Sequence, residues 1–193
     1  LELVRRGTLA LDDRAANRLE LTGFLAERLR DVTVQMLLTH TAGLPAWYPF
    51  YADHQAGRPF PVILEAVLRE TPPETGMVYS DLGFMLLREI VCRVSGLAFD
   101  QAIERLVCRP LGIGEACFCP PQTLPLVPSC RDNGVEERMC REKGIAFSGF
   151  CPHRQDVIGL PNDGNARYFF HGISGHAGLF ATARALAQLG TFY

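Results

Sequence analysis

Val78–Gly96 reads VYSDLGFMLLREIVCRVSG. Leu82, Met85, Leu86, Ile90 and Val94 recur near one helical face, so a long amphipathic helix is expected here. Gly96 ends it, because glycine accepts the left-handed turn that closes a helix. Ser80 or Asp81 stands where an N-cap is wanted. Just ahead of the helix sits Tyr79, two residues from Asp81. In extended backbone, residues two apart point the same way, so phenol and carboxylate can face one cleft together. The plainer alternative has Asp81 capping the helix and Tyr79 packing. A tyrosine is a poor base unless its proton is easy to lose, its ordinary pKa being about 10. A helix N-terminus favours the phenolate, and a nearby ammonium favours it more.

Working outward, TVQMLLTH (residues 33–40) opens on Thr33, a good N-cap, and offers Val34, Leu37 and Leu38 for burial. It breaks at TAGLP, where Gly43 gives a permissive backbone and Pro45 prevents resumption. Upstream, LELVRRG stops at Gly7, and Asp12 and Asp13 in LALDDRAANRL suit a turn or cap. The aromatic stretch AWYPFYADHQAGRPFP follows. Trp47, Tyr48, Phe50 and Tyr51 either line a cleft or pin the loop to the core. PFPVILEAVLRE spaces Val62, Leu64, Val67 and Leu68 for a helix. FDQAIERLVCRPLG gives another, capped by Asp100 and stopped before Pro110. From Gly112 to about Asn165 the periodicity fails, and prolines, glycines and cysteines dominate. A stretch of that length is expected to be a functional loop or an insertion. Beyond it GISGHAGLF is punctuated by glycine, and Thr182 can cap a last helix, ARALAQL. Little reads as strand.

The chain has 193 residues and is 48% hydrophobic, enough for a folded domain with a core. Nineteen basic and 21 acidic residues give a net charge of −2 with no basic block, so no nucleic-acid footprint is visible. No apolar run reaches the roughly 20 residues of a spanning helix. The opening LELVRRGTLALDD lacks the pattern of a signal peptide. It reads as the tail of a helix, and LAQLGTFY closes the sequence at the end of one. Both ends are expected to continue into something longer.

Of the 19 basic residues only Lys143 is a lysine, so any mechanism needing one has a single candidate. The seven cysteines are an odd number, and free thiols in a reducing compartment are the simplest reading. Cys117, Cys119, Cys130, Cys140 and Cys151, with His153, share one stretch. They lack the paired C-x-x-C spacing that grips zinc, and no metal or other cofactor is expected. H-E-x-x-H and the P-loop pattern are missing from the sequence. GISGH nearly meets the G-x-S-x-G elbow around Ser174, but His176 replaces its last glycine and no clear strand precedes it. His40, His171 and His176 sit in glycine-rich or helix-end settings and read as structural.

Taken in order, GTLALDD, VTVQMLLTHTAGLP, GMVYSDLGFMLLREIVCRVSG, RPLGIG and NDGNARYFFHGISGHAGLFATA resemble the β-lactamase-related serine hydrolases. That family includes class C β-lactamases, penicillin-binding proteins, D-amino-acid peptidases and esterases. The resemblance covers both flanks and misses the cysteine-rich middle. It implies an α+β, β-lactamase/transpeptidase-like fold, with this chain mostly its helical subdomain and few strands. The expected organisation is a helical part over 1–112, a Cys/Pro-rich loop or insertion over 113–165, and a Gly-rich segment and helix start over 166–193. The implied chemistry is acyl transfer through the serine of an S-x-x-K motif. Its lysine shares proton handling with the tyrosine of a Y-x-N motif, and backbone N–H groups stabilise the oxyanion.

On this resemblance Tyr79 matches the family tyrosine, and Asp81 stands where asparagine is commoner. Ionised aspartate only accepts hydrogen bonds, and its charge opposes loss of the Tyr79 proton. An ester or another amide is therefore as plausible a substrate as a β-lactam or peptide. No S-x-x-K occurs in the chain. Lys143 follows Cys140 in C-R-E-K, which copies the spacing with the wrong nucleophile, and no K-T-G is present. The chain is thus expected to be part of a serine hydrolase of small acyl substrates and inactive alone. The alternative is a degenerate, non-catalytic member that binds a ligand or partner. The family is often exported whereas the thiols favour the cytoplasm, so the compartment stays open.

Overall fold

The computed structural model describes residues 1–54, 57–150 and 156–191. Helices come in the order α1 (Glu2–Arg5), α2 (Ala15–Arg18), α3 (Gly23–Arg28), α4 (Val34–Leu38), α5 (Phe50–His54), α6 (Phe60–Glu70), α7 (Asp81–Ser95) and α8 (Phe99–Ile103). Strands β1 (Ala116–Phe118) and β2 (Pro128–Cys130) follow, then α9 (Gly134–Glu142), β3 (Val157–Ile158), β4 (Leu179–Ala181) and α10 (Ala183–Gly190). Two π-helical turns, Glu104–Cys108 and Asn165–Phe169, complete the set. Two compact units divide the chain: Leu1–Tyr48 with Phe60–Ile113, and Pro49–Pro59 with Gly114–Tyr193.

In the first unit α7 forms the core that its periodicity predicts. Leu82, Met85, Leu86 and Ile90 are buried, while Val94 is half-buried. Gly96 closes the helix in the left-handed conformation, and its N–H returns to the Cys92 carbonyl. Helix α4 packs against α7 at Gly83. A Cβ there would lie 3.4 Å from the Leu37 carbonyl oxygen, in ordinary van der Waals contact, so the two backbones run close at this point. Thr33 caps α4 as expected, its hydroxyl accepting the Met36 N–H at 3.1 Å.

Some local details differ from the sequence reading. On α6 Val62 is 48% exposed and Ile63 is buried in its place, beside Leu64, Val67 and Leu68. The pairs 63/67 and 64/68 are each one turn apart, which makes a tighter stripe than 62/64. Helix α8 starts after Ala98 without a side-chain cap, and Asp100 lies in its first turn.

The second unit has two antiparallel two-stranded sheets, β1 with β4 and β2 with β3. Ala116, Cys117 and Phe118 face Ala181, Phe180 and Leu179. Within the stretch where periodicity fails, the structure holds β1, β2, β3 and the nine-residue helix α9. That helix, GVEERMCRE, buries only Cys140. Too few apolar positions remain to show a period. Phe50 and Tyr51 are fully buried and pin α5 within this unit, whereas Trp47 and Tyr48 of the first unit are half-buried. Thr182 caps α10, accepting the Ala185 N–H at 3.2 Å. Among the described residues no helix is long and apolar enough to cross a membrane.

Candidate functional site

The first unit carries Tyr79 and Asp81 on a segment braced by the loop after α4. Three backbone bonds make the brace: Glu74 N–H to Gly43 O at 3.2 Å, Val78 N–H to His40 O at 3.0 Å and Asp81 N–H to Ala46 O at 3.0 Å. Ser80 stands at the N-cap of α7 but does not cap it with its side chain. Its hydroxyl donates instead to the Pro45 carbonyl at 2.7 Å, and the residue is only 3% exposed. The serine inside Y-S-D is thus a buried tie. Tyr79 beside it is 71% exposed. Asp81 is half-buried in the first turn of α7, where the helix dipole favours a carboxylate.

The structure adds His40, which the sequence places among structural histidines. Its Nδ1 accepts the Ser80 N–H at 3.0 Å. Its ring lies 4.4 Å from the Tyr79 ring at 33° and 5.1 Å from Phe84 at 28°. Nothing in the local pattern of TVQMLLTH announces this contact.

The second unit brings Ser174 and His176 together with Asp163, which the sequence reading missed. The Ser174 hydroxyl lies 2.8 Å from His176 Nδ1, and His176 Nε2 lies 2.8 Å from Asp163 Oδ1. A carboxylate only accepts, so Nε2 carries the proton and Nδ1 accepts from the serine. Asp163 Oδ1 also accepts the Ala166 N–H at 2.7 Å. The string has the order of a Ser–His–Asp triad, but Ser174 is 2% exposed. It follows the π-helical turn 165–169 and precedes β4, the reverse of the strand-to-helix elbow that presents a nucleophile. These bonds secure a glycine-rich turn.

The same unit holds a half-buried carboxyl. Glu136 of α9 accepts the Gly164 N–H at 2.6 Å and the Tyr51 hydroxyl at 2.9 Å. Burial, helped by the Asp163 charge, pushes its pKa up to about 7 against the lowering effect of those two bonds. The Tyr51 hydroxyl also meets Cys140 Sγ at 3.3 Å, and burial raises both groups above their ordinary values.

The cysteines of the middle stretch are spread out. Cys117 lies on β1, Cys119 just beyond it, Cys130 on β2, and Cys140 inside α9 against Tyr51. Among the described residues no three of them gather as metal ligands. Cys151 and His153 lie outside the described residues. Lys143, at the C-cap of α9, is exposed while Cys140 is buried, so C-R-E-K forms no nucleophile–lysine pair.

The β-lactamase family model matches residues 1–192. The chain belongs to the β-lactamase family. A relative from Escherichia coli (strain K12), carrying the name of a D-alanyl-D-alanine carboxypeptidase, is 31% identical over 97% of this chain and 45% of its own length. The crystal structure of a penicillin binding protein from Bacillus halodurans superposes with a TM-score of 0.60 at 22% identity, covering 98% of this chain and 54% of that one. A class C β-lactamase from Rhodobacter sphaeroides gives 0.56 at 22% identity, covering 97% and 45%. The fold is therefore β-lactamase/transpeptidase-like, here helix-rich with few strands, as the order of motifs implies. The chain spans less than half the length of the curated relatives it matches, 36% and 45% for two of them.

Proposed function

We propose that this β-lactamase-family chain supplies the tyrosine-bearing wall of an acyl-transfer hydrolase acting on an ester, β-lactam or peptide-like amide. Tyr79 handles the proton of the nucleophile and leaving group. Asp81, at the start of α7, stands where asparagine is commoner in the family, which leaves an ester or another amide as plausible a substrate as a β-lactam or peptide. The observation that carries this reading is the exposed phenol of Tyr79, held at a helix N-terminus by a braced segment within a chain of this family. The nucleophilic serine and its lysine belong to an S-x-x-K motif, which the sequence does not contain. On this reading the chain alone does not turn over substrate.

Two measurements test it. Purified chain should show no steady hydrolysis of p-nitrophenyl acetate or a chromogenic cephalosporin. In a longer product of the gene that carries an S-x-x-K serine, Tyr79→Phe should lower kcat by about 10² to 10⁴, the usual worth of a positioned acid–base group. Steady turnover by the chain alone, abolished by Tyr79→Phe, would refute the claim that its nucleophile lies elsewhere.

A further inference from the structure

His40 is in an unusual position for an ordinary loop residue. Its φ is +57°, a left-handed conformation that side chains resist, although histidine is among those found there more often. The turn is built into the end of α4, where the His40 N–H reaches Leu37 O at 3.4 Å and the Thr41 N–H reaches Met36 O at 2.9 Å. His40 then grips the 78–80 segment twice. Its carbonyl accepts from Val78, and its Nδ1 accepts from Ser80. Accepting at Nδ1 leaves Nε2 as the ring nitrogen that carries the proton. These bonds alone would make a structural tie. The ring does something more, because it contacts both Phe84 and the solvent-facing phenol of Tyr79. Phe84 stands on the first turn of α7, so the stack refers the phenol to the helix.

We propose that His40 is the positioning residue of Tyr79: Nδ1 fixes the backbone under the phenol, and the ring fixes the phenol's orientation. This rests on the reading of Tyr79 as the proton-handling group. Orientation has a measurable consequence there, since a small misplacement of a reacting group can cost about 10²-fold in rate.

The variant that separates the two grips is His40→Asn. Asparagine accepts the left-handed conformation and offers a side-chain oxygen to the Ser80 N–H, so the backbone brace stays while the ring is lost. In this chain labelled with ¹³C-tyrosine, the Tyr79 ring signals are assigned by their loss in Tyr79→Phe. His40→Asn should move them toward free-tyrosine values and leave the buried Tyr51 signals in place. In a product of the gene that carries an S-x-x-K serine, it should lower kcat by about 10- to 100-fold at nearly constant KM. Unmoved Tyr79 signals overturn the assignment. So does an unchanged kcat in His40→Asn when Tyr79→Phe abolishes turnover. Turnover untouched by Tyr79→Phe instead overturns the function reading, and with it the purpose given to His40.

Discussion

Ser80 shows how a single residue divides labour in this chain. Its side chain spans to Pro45 O, its N–H goes to His40, and the neighbour on one side is the exposed Tyr79. Ser80→Ala leaves a buried carbonyl without this donor, so it should cost about 1 to 2 kcal/mol of stability. Urea unfolding of the chain followed by circular dichroism measures it, and an unchanged midpoint would deny the tie. At this scale the helix behind Tyr79 and Asp81 was legible, because its apolar period is local, while the role proposed for the two residues rests on the family resemblance. His40 was not legible. It stands forty residues from Ser80 in sequence, and local periodicity carries no information about a pairing at that range. Asp163 was hidden for a similar reason, since N-D-G reads only as a turn until His176 is seen against it.

Among the elements, those with a side-chain cap, α4 and α10, or a long apolar stripe, α6 and α7, were legible. The strands of two or three residues were too short to alternate. Helix α9 was hidden by its charges, and tertiary contacts hold it. Two predictions belong to it. Gly164 has an ordinary helical φ of −71° but no room for a side chain. A Cβ would meet Glu136 Oε2 at 2.0 Å and Tyr51 Cε1 at 2.8 Å. Gly164→Ala should therefore destabilise by about 1 to 3 kcal/mol through overpacking, read from the same urea transition.

The second prediction concerns pH. The Glu136 carboxyl has a folded pKa of about 7, above its ordinary 4.5. The folded state binds the proton more tightly, so stability is full below about 4.5 and falls as pH rises through 7. The loss from this group is up to about 3 kcal/mol. The groups facing it are Tyr51 of α5, Cys140 of α9, and Asp163 and His176 of the loops. Glu136→Gln keeps an acceptor for Gly164 and removes the titration, so its melting temperature should exceed the parent's at pH 8 and match it at pH 4.5. Parallel curves for the two proteins across that range would count against the Glu136 carboxyl as the cause.

For the whole molecule, the family was legible because five motifs recur in order along one chain, a signal that no single motif carries. The placement of α5 in the second unit was not legible, since it packs with residues a hundred positions downstream: Phe50 N–H donates to Asn165 Oδ1 at 2.9 Å. The cysteines provide a check at this scale. Dispersed over two sheets, two helices and a π-helical turn, those described should bind no stoichiometric zinc, which elemental analysis of protein purified without added metal would reveal. The central claim is that this chain carries the proton-handling tyrosine of a serine hydrolase without its nucleophile. Labelling the purified chain with a fluorophosphonate and a fluorescent penicillin, followed by peptide mapping, tests it most directly. No serine should be labelled, and a stoichiometric label on Ser80 or Ser174 would show that the chain carries its own nucleophile.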